Sequence, residues 1–214
     1  MSEKKKIIIT IARQYGSGGA DTGKKLAEDL GISFYDKNIL RMNSDESGIK
    51  ESYFHLADEK AGNRLLYKII NTLTPEKGAP SFGSDLISAD NLFRFQSEVI
   101  RKLAAEESYV IIGRCADVIL KDYHPLNLFI YADMEAKVER CIRRAPEGEH
   151  LTRNEIERMI KQVDKNRAQY RQMYSDTKWG AKESYHLCVN TTEKYIKEIV
   201  PGLAAYVRYW FSEE

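Results

Sequence analysis

Three glycines fall within four residues at Gly16-Ser17-Gly18-Gly19, shortly after the apolar run Ile7-Ile8-Ile9-Thr10-Ile11. A glycine-rich turn that leaves a buried strand and opens a helix makes successive backbone N–H groups converge on one concavity, where the helix dipole adds partial positive charge. A phosphate fits there. The other use of such glycines is a tight connection, but a plain connection seldom needs so many. The expected cradle runs over Gln14, Tyr15, Gly16, Ser17, Gly18, Gly19, Ala20 and Asp21. The standard phosphate-loop pattern G-x-x-x-x-G-K-[ST] is nevertheless not met. With Gly18 as its last glycine, Arg13 stands at its first glycine, Gly19 at its lysine and Ala20 at its magnesium-holding hydroxyl. The lysine would neutralise terminal phosphates and the hydroxyl would ligate Mg²⁺. Arg13, on the same turn, is the expected substitute cation. Asp21 or Ser17 would contact a metal directly or through water. Lys24 and Lys25 lie farther along the helix and read as surface residues.

Phosphoryl transfer needs donor and acceptor in line, compensation of charge and exclusion of water. Arg140, Arg144, Arg153, Arg167 and Arg171 flank or line the segment 140–175, and Arg167 and Arg171 share one helical face. Each alone also reads as a solvated residue with ion partners such as Glu139, Glu157 and Asp164; as a set they favour an anion site. Arg114 follows a buried run at the sheet edge where ligands collect, so it either touches substrate or pairs with Asp117 or Asp133. Asp36 holds the same place after a second strand, as ligand or as N-cap of residues 37–42. Asp133 reads as an N-cap. Tyr15, Tyr170 and Trp179 either stack on a base or pack on neighbours. His55, His124, His150 and His186 form no metal-ligand spacing.

These residues must be held by elements that the hydrophobic pattern makes visible. Continuous apolar runs at 7–11, 109–112 and 126–131 read as strands buried on both faces, with shorter strands at 32–35 and 185–189. Gly23, Leu26, Ala27 and Leu30 have helical spacing that Gly31 stops. Residues 37–107 read as mostly helical, interrupted by a mobile loop at 74–84 that holds Pro75, Gly78, Pro80 and Gly83. Thr152 and Glu155 have capping-box spacing for a helix running to about Tyr174. A last helix runs to the C-terminus. Strands alternating with helices predict a parallel sheet covered on both faces, with ligands beyond the carboxyl ends of its strands.

The chain has 214 residues, enough for one α/β core with an inserted helical part. Thirty-three Lys and Arg against thirty-two Asp and Glu leave a net charge of +1, so no global field draws the molecule to nucleic acid or anionic lipid. Cys115, Cys141 and Cys188 are an odd set without metal spacing, which suits a reducing compartment. The apolar run behind the lysines is too short for a signal sequence or membrane span. A cytoplasmic location with no membrane or nucleic-acid partner is the expectation; the oligomeric state stays open.

Ile-Ala-Arg-Gln-Tyr-Gly-Ser-Gly-Gly (11–19) and Leu-Ala-Glu-Asp-Leu-Gly-Ile-Ser-Phe-Tyr-Asp (26–36) resemble the opening of the bacterial cytidylate kinase-like family. Ile-Ile-Gly-Arg-Cys-Ala-Asp-Val-Ile-Leu (111–120) is similar to its Gly-Arg-Asp segment, and Arg140, Arg143 and Arg144 stand where its arginine-bearing lid begins. Asn166 to Arg171, Trp179-Gly180 and Leu187 to Thr191 resemble its C-terminal signature.

The resemblance implies one P-loop NTPase-like domain over 1–214, a three-layer sandwich on a five-stranded parallel sheet. It adds a helical substrate-side insertion at about 37–107 and a lid at about 145–180 that closes over ligand. It further implies ATP and Mg²⁺ as cofactors and transfer of the terminal phosphoryl group to a nucleoside monophosphate, cytidylate by family analogy. Arg13, Arg140, Arg144, Arg167 and Arg171 would be catalytic, and Asp36, Arg41, Arg114 and Asp117 would bind substrate. The family shares the missing lysine but carries arginine where this chain has Ala20. Cytidylate kinases also have aspartate in place of Cys115, Asp-Thr-Gly against Asp36-Lys37-Asn38, and aspartate in place of Ile112. These departures keep two other readings open: a kinase of a different acceptor, and a nucleotide sensor without turnover.

Overall fold

A strand that is apolar at nearly every position is stable only when both its faces are covered. In the computed structural model, which describes residues 6–36, 69, 89–145 and 151–212, the chain meets that demand by placing its first strand at the centre. The strands are β1 (Ile8–Arg13), β2 (Ser33–Tyr35), β3 (Tyr109–Ile112), β4 (Leu126–Tyr131) and β5 (Leu187–Asn190). They form one sheet in the order β2-β3-β1-β4-β5, with every neighbouring pair parallel. Ile9 lies level with Val110 on one side and Leu126 on the other, which brings the carboxyl ends of β1, β3 and β4 to one edge.

The helices are α1 (Gly19–Leu30), α2 (Ala89–Glu106), α3 (Ala116–Ile119), α4 (Met134–Arg144), α5 (Arg153–Tyr174) and α6 (Ile196–Trp210). Alternation along the strands divides the core into two layers. Ile8, Tyr109 and Ile111 pack with Ile100, Leu103 and Ala116, under α2 and α3. Ile9, Ile11, Val110 and Ile112 pack with Leu26, Leu203 and Val207, under α1 and α6. A smaller cluster of Val138, Ile156 and Ile160 joins α4 to α5.

Most local expectations match. Gly31 ends α1 in a left-handed conformation, its N–H returned to Glu28 O. Thr152 and Glu155 form the capping box of α5. The last strand begins at Leu187 rather than Tyr185, because residues 182–184 make a 3₁₀ turn that turns Tyr185 onto Phe129, with ring centroids 4.9 Å apart. Asp133 takes the N-cap position of α4, yet its side chain makes no capping hydrogen bond. Of the helical stretch expected at 37–107, α2 is described; residues 37–68 and 70–88, with Arg41 and the loop at 74–84, lie outside the described residues. Among the described residues no helix is long and apolar enough to cross a membrane.

Ile111 is fully buried in the middle of the sheet. Ile111→Ala should lower the unfolding free energy by about 2–5 kcal/mol, seen as a lower urea midpoint with an unchanged slope.

Candidate active site

β1 runs straight into the glycine turn, and the turn's carbonyls are fastened from beneath. Gln14 O accepts from Ser17 Oγ at 2.8 Å, and Ser17 is completely buried. Ser17 O accepts from Thr191 Oγ1 at 2.7 Å, and Gly16 O from Arg140 Nη1 at 3.5 Å. Arg140 is itself buried and also donates to Thr191 O and, at 3.5 Å, to Lys194 O. With the oxygens held down, the amides opening α1 at Ala20 and Asp21 lack the i−4 acceptor that later turns have, while the Gly19 N–H donates to Ser17 Oγ at 3.3 Å. Gly18 begins the helix at φ +79°, a conformation that favours glycine. The result is a backbone cradle at a helix N-terminus, the arrangement that can hold a phosphate.

Two cavities open at this edge of the sheet. One, of about 620 Å³, lies over the turn and is walled by Arg140, Arg144, Leu151 and Met159. The other, of about 350 Å³, lies beyond β1 and β3 and is walled by Arg114, Asp117, Asn166, Tyr170 and Trp179. Arg13 and Arg167 line both. Behind the smaller cavity Gly113, Arg114 and Cys115 are all left-handed, with φ of +74°, +60° and +52°. For residues with a Cβ that conformation costs roughly 1–2 kcal/mol each, and such strain concentrates at functional sites.

Positive charge gathers where the cavities meet. Burial, then the neighbouring Arg167 and Arg114 guanidiniums, push Arg13 down to about 9, against partial opposition from Asp36 and Asp164. Burial also lowers Arg167, which Asp164 and Tyr15 oppose. Arg167 sits 5.6 Å from the centre of the Tyr15 ring and donates to Arg13 O at 2.9 Å and to Asp164 at 3.4 Å. Asp164 accepts the Tyr15 N–H at 2.7 Å, while burial raises its carboxyl. Three buried or half-buried guanidiniums repelling one another make a site that an anion would stabilise.

The model of the cytidylate kinase-like family matches residues 8–193. The chain belongs to the cytidylate kinase-like family. A crystal structure of an uncharacterized protein from Eubacterium ventriosum is 29% identical, with a TM-score of 0.66 over 94% of this chain and 98% of that one. Shikimate kinase from Bacteroides thetaiotaomicron is 15% identical, with a TM-score of 0.51 over 94% and 98% of the two chains. A gluconokinase from Sinorhizobium meliloti is also 15% identical, with a TM-score of 0.51 over 97% and 95%. At that identity these two kinases bear on the fold alone, which is the P-loop kinase fold. No curated protein matches.

Within this family fold the expected arginines take different stations. Arg13, Arg114 and Arg167 come together at the cavity boundary. Arg171 also lines the smaller cavity, but its guanidinium is engaged: it is buried, donates to Asp117 at 2.5 Å and to Thr177 O and Oγ1 at 3.1 and 2.7 Å, and lies 5.4 Å from the centre of the Tyr185 ring. Those contacts tie α5 to the segment after β3 and occupy both Arg171 and Asp117. Arg140 likewise spends its guanidinium on main-chain oxygens. Arg144 pairs with Asp21 at the surface. Trp179 packs edge-on against Phe129, with centroids 5.2 Å apart, and still lines the smaller cavity. Burial, partly opposed by Arg114, raises Tyr170 to about 12, and burial raises the Cys115 thiol to about 11, so it stays protonated.

Lys137 escaped the sequence reading. It is buried, donates to Gln14 Oε1 at 3.2 Å and stands 3.8 Å from Asp164. A signal existed: Met134, Lys137, Val138 and Cys141 form one helical stripe, which marks residue 137 as facing inward. The turn offers no side chain for Mg²⁺. Ser17 Oγ is buried against Gln14 O, Asp21 faces Arg144 and the Ala20 side chain has no oxygen. Among the described residues no group of three His, Cys, Asp or Glu can hold a metal. The residues of the turn do not fit a directly coordinated cation.

Asp164 answers buried Lys137 and half-buried Arg167 at once. Asp164→Ala should therefore cost about 3–5 kcal/mol, and adding Lys137→Met should restore part of that loss; urea unfolding of the single and double variants measures both.

Proposed function

We propose that the protein is a kinase that moves the terminal phosphoryl group of ATP to a nucleoside monophosphate, with cytidylate the first acceptor to test. The observation that carries this reading is the pair of cavities divided by Arg13 and Arg167, one of them floored by the helix-opening amides. The larger cavity takes the donor, with its phosphates on the N–H groups of Gly18, Ala20 and Asp21. The smaller one takes the acceptor, with Arg114 toward its phosphate and Tyr170 and Trp179 toward its base. Family membership supports both assignments.

An oxygen of the acceptor phosphate attacks the terminal phosphorus of ATP. The bond from that phosphorus to the bridging oxygen breaks, and ADP leaves with the bond's electrons. The acceptor phosphate is already ionised near neutral pH, so the step needs no general base. The protein contributes alignment, charge compensation and shelter from water. Arg167 serves from the wall of α5, while Arg140, Lys137 and Asp164 keep the turn in shape. Mg²⁺, which the family's chemistry implies, would reach the site on the nucleotide's own phosphates.

One feature favours a second reading. Cys115 replaces the aspartate that follows Gly-Arg in cytidylate kinases, beside the cavity assigned to the acceptor, so a different small anionic acceptor fits the same machinery.

Purified protein incubated with ATP, Mg²⁺ and a panel of nucleoside monophosphates should yield a diphosphate, with Arg114→Met lowering kcat/KM by about 10²–10³. Product only from acceptors outside that panel would select the second reading. Nucleotide affinity without turnover on any acceptor would mark a sensor and end the kinase reading.

A further inference from the structure

Side chains at positions 13 and 19 claim one volume. A Cβ placed on Gly19 would stand 2.5 Å from the Cβ and 3.0 Å from the Cγ of Arg13, far inside contact distance. The same Cβ would be 3.2 Å from Ile130 Cβ, closer than ordinary contact but less severe than the approach to Arg13. In the standard phosphate loop the position of Arg13 is a glycine and that of Gly19 is the lysine. This chain holds the reverse pair, so the large cationic side chain and the bare α-carbon have exchanged ends of the turn.

The exchange sends the cation elsewhere. Arg13 lies across Gly19 and reaches the end of β3, where its Nη1 fills the place a side chain on Gly113 would occupy. From there it lines both cavities. Neighbouring cations have other duties: Lys137 holds Gln14 and Asp164, Arg140 holds the carbonyls of the turn, and Arg171 holds Asp117 and Thr177. The groups charged toward Arg13 are Arg114, Arg167, Asp36 and Asp164. Its planar fork of donors suits the equatorial oxygens of a phosphoryl group in transit.

We propose that Arg13 is a catalytic residue that replaces the phosphate-loop lysine by exchange across the turn, so that its guanidinium meets the transferring phosphoryl group from the strand end of the sheet. This rests on the kinase reading above. It adds that the cation's origin moves from residue 19 to residue 13, and that bare α-carbons at 19 and 113 are the condition for it.

The test is a reciprocal swap in the full-length protein. Arg13→Met and Arg13→Gln should each lower kcat by about 10³-fold, with the dissociation constant of a fluorescent ATP analogue changed by less than about threefold, because the cradle is main chain. Gly19→Lys alone should be at least as inactive, since its side chain collides with Arg13. The double variant Arg13→Gly/Gly19→Lys, which restores the standard order, should be at least about tenfold more active than either Arg13→Gly or Gly19→Lys alone. A second cycle reads the collision without any turnover: Gly19→Ala should lower the melting temperature with Arg13 present and much less in the Arg13→Gly background. Transfer by the natural protein that survives Arg13→Met and Arg13→Gln overturns this inference and leaves the kinase reading standing, as does a folded double variant no better than its singles. Absence of transfer by the natural protein on every acceptor overturns both.

Discussion

Backbone amides can face a ligand only while the carbonyls of the same peptides find partners on the other side. The glycine turn obeys this through oxygens held below it: Gln14 O by Ser17, Ser17 O by Thr191, Gly16 O by Arg140. Thr191 follows β5 and Arg140 belongs to α4, so the cradle's shape depends on segments remote in sequence. Buried Arg140 bonds both the turn and Thr191, which makes it the joint of this arrangement. Without these bonds three glycines would give a flexible connection, since glycine loses more conformational freedom on ordering than any other residue.

A second joint is α5. Asp164, Arg167 and Arg171 lie along one face of it, and each fastens a different piece of the sheet edge: the Tyr15 N–H, Arg13 O and Asp117. The expectation of a closing lid at 145–180 includes this helix, whose contacts join it to the turn and to the segment after β3. The same helix supplies Arg167 to the boundary between the cavities. Its attachment and its contribution to the site are thus one set of contacts, and a variant that loosens one disturbs the other.

The parts of the fold governed by local rules were legible in the sequence. Apolar runs gave the strands, Gly31 the end of α1, and Thr152 with Glu155 the start of α5, because each depends on residues within a turn or two. The sorting of the arginines was not legible. Arg140 ends on main-chain oxygens and a threonine hydroxyl, and Arg171 on Thr177 and on Asp117, a carboxylate 54 positions away, so neither destination shows in local spacing and both resembled Arg167. Lys137 stood in a readable stripe that its charge disguised. The exclusion between Arg13 and Gly19 leaves no trace in the sequence, since it arises from two side-chain positions meeting across a bend.

The partition between the two cavities is made of side chains. Arg167 is held there by Arg13 O, Asp164 and the Tyr15 ring, and Arg13 by its passage across Gly19 to Gly113, so the dividing wall owes its position to packing and hydrogen bonds of the turn and α5. A lineage built on this scaffold can change the size of what it accommodates by altering the rim around Arg114 and Trp179, leaving the central framework untouched.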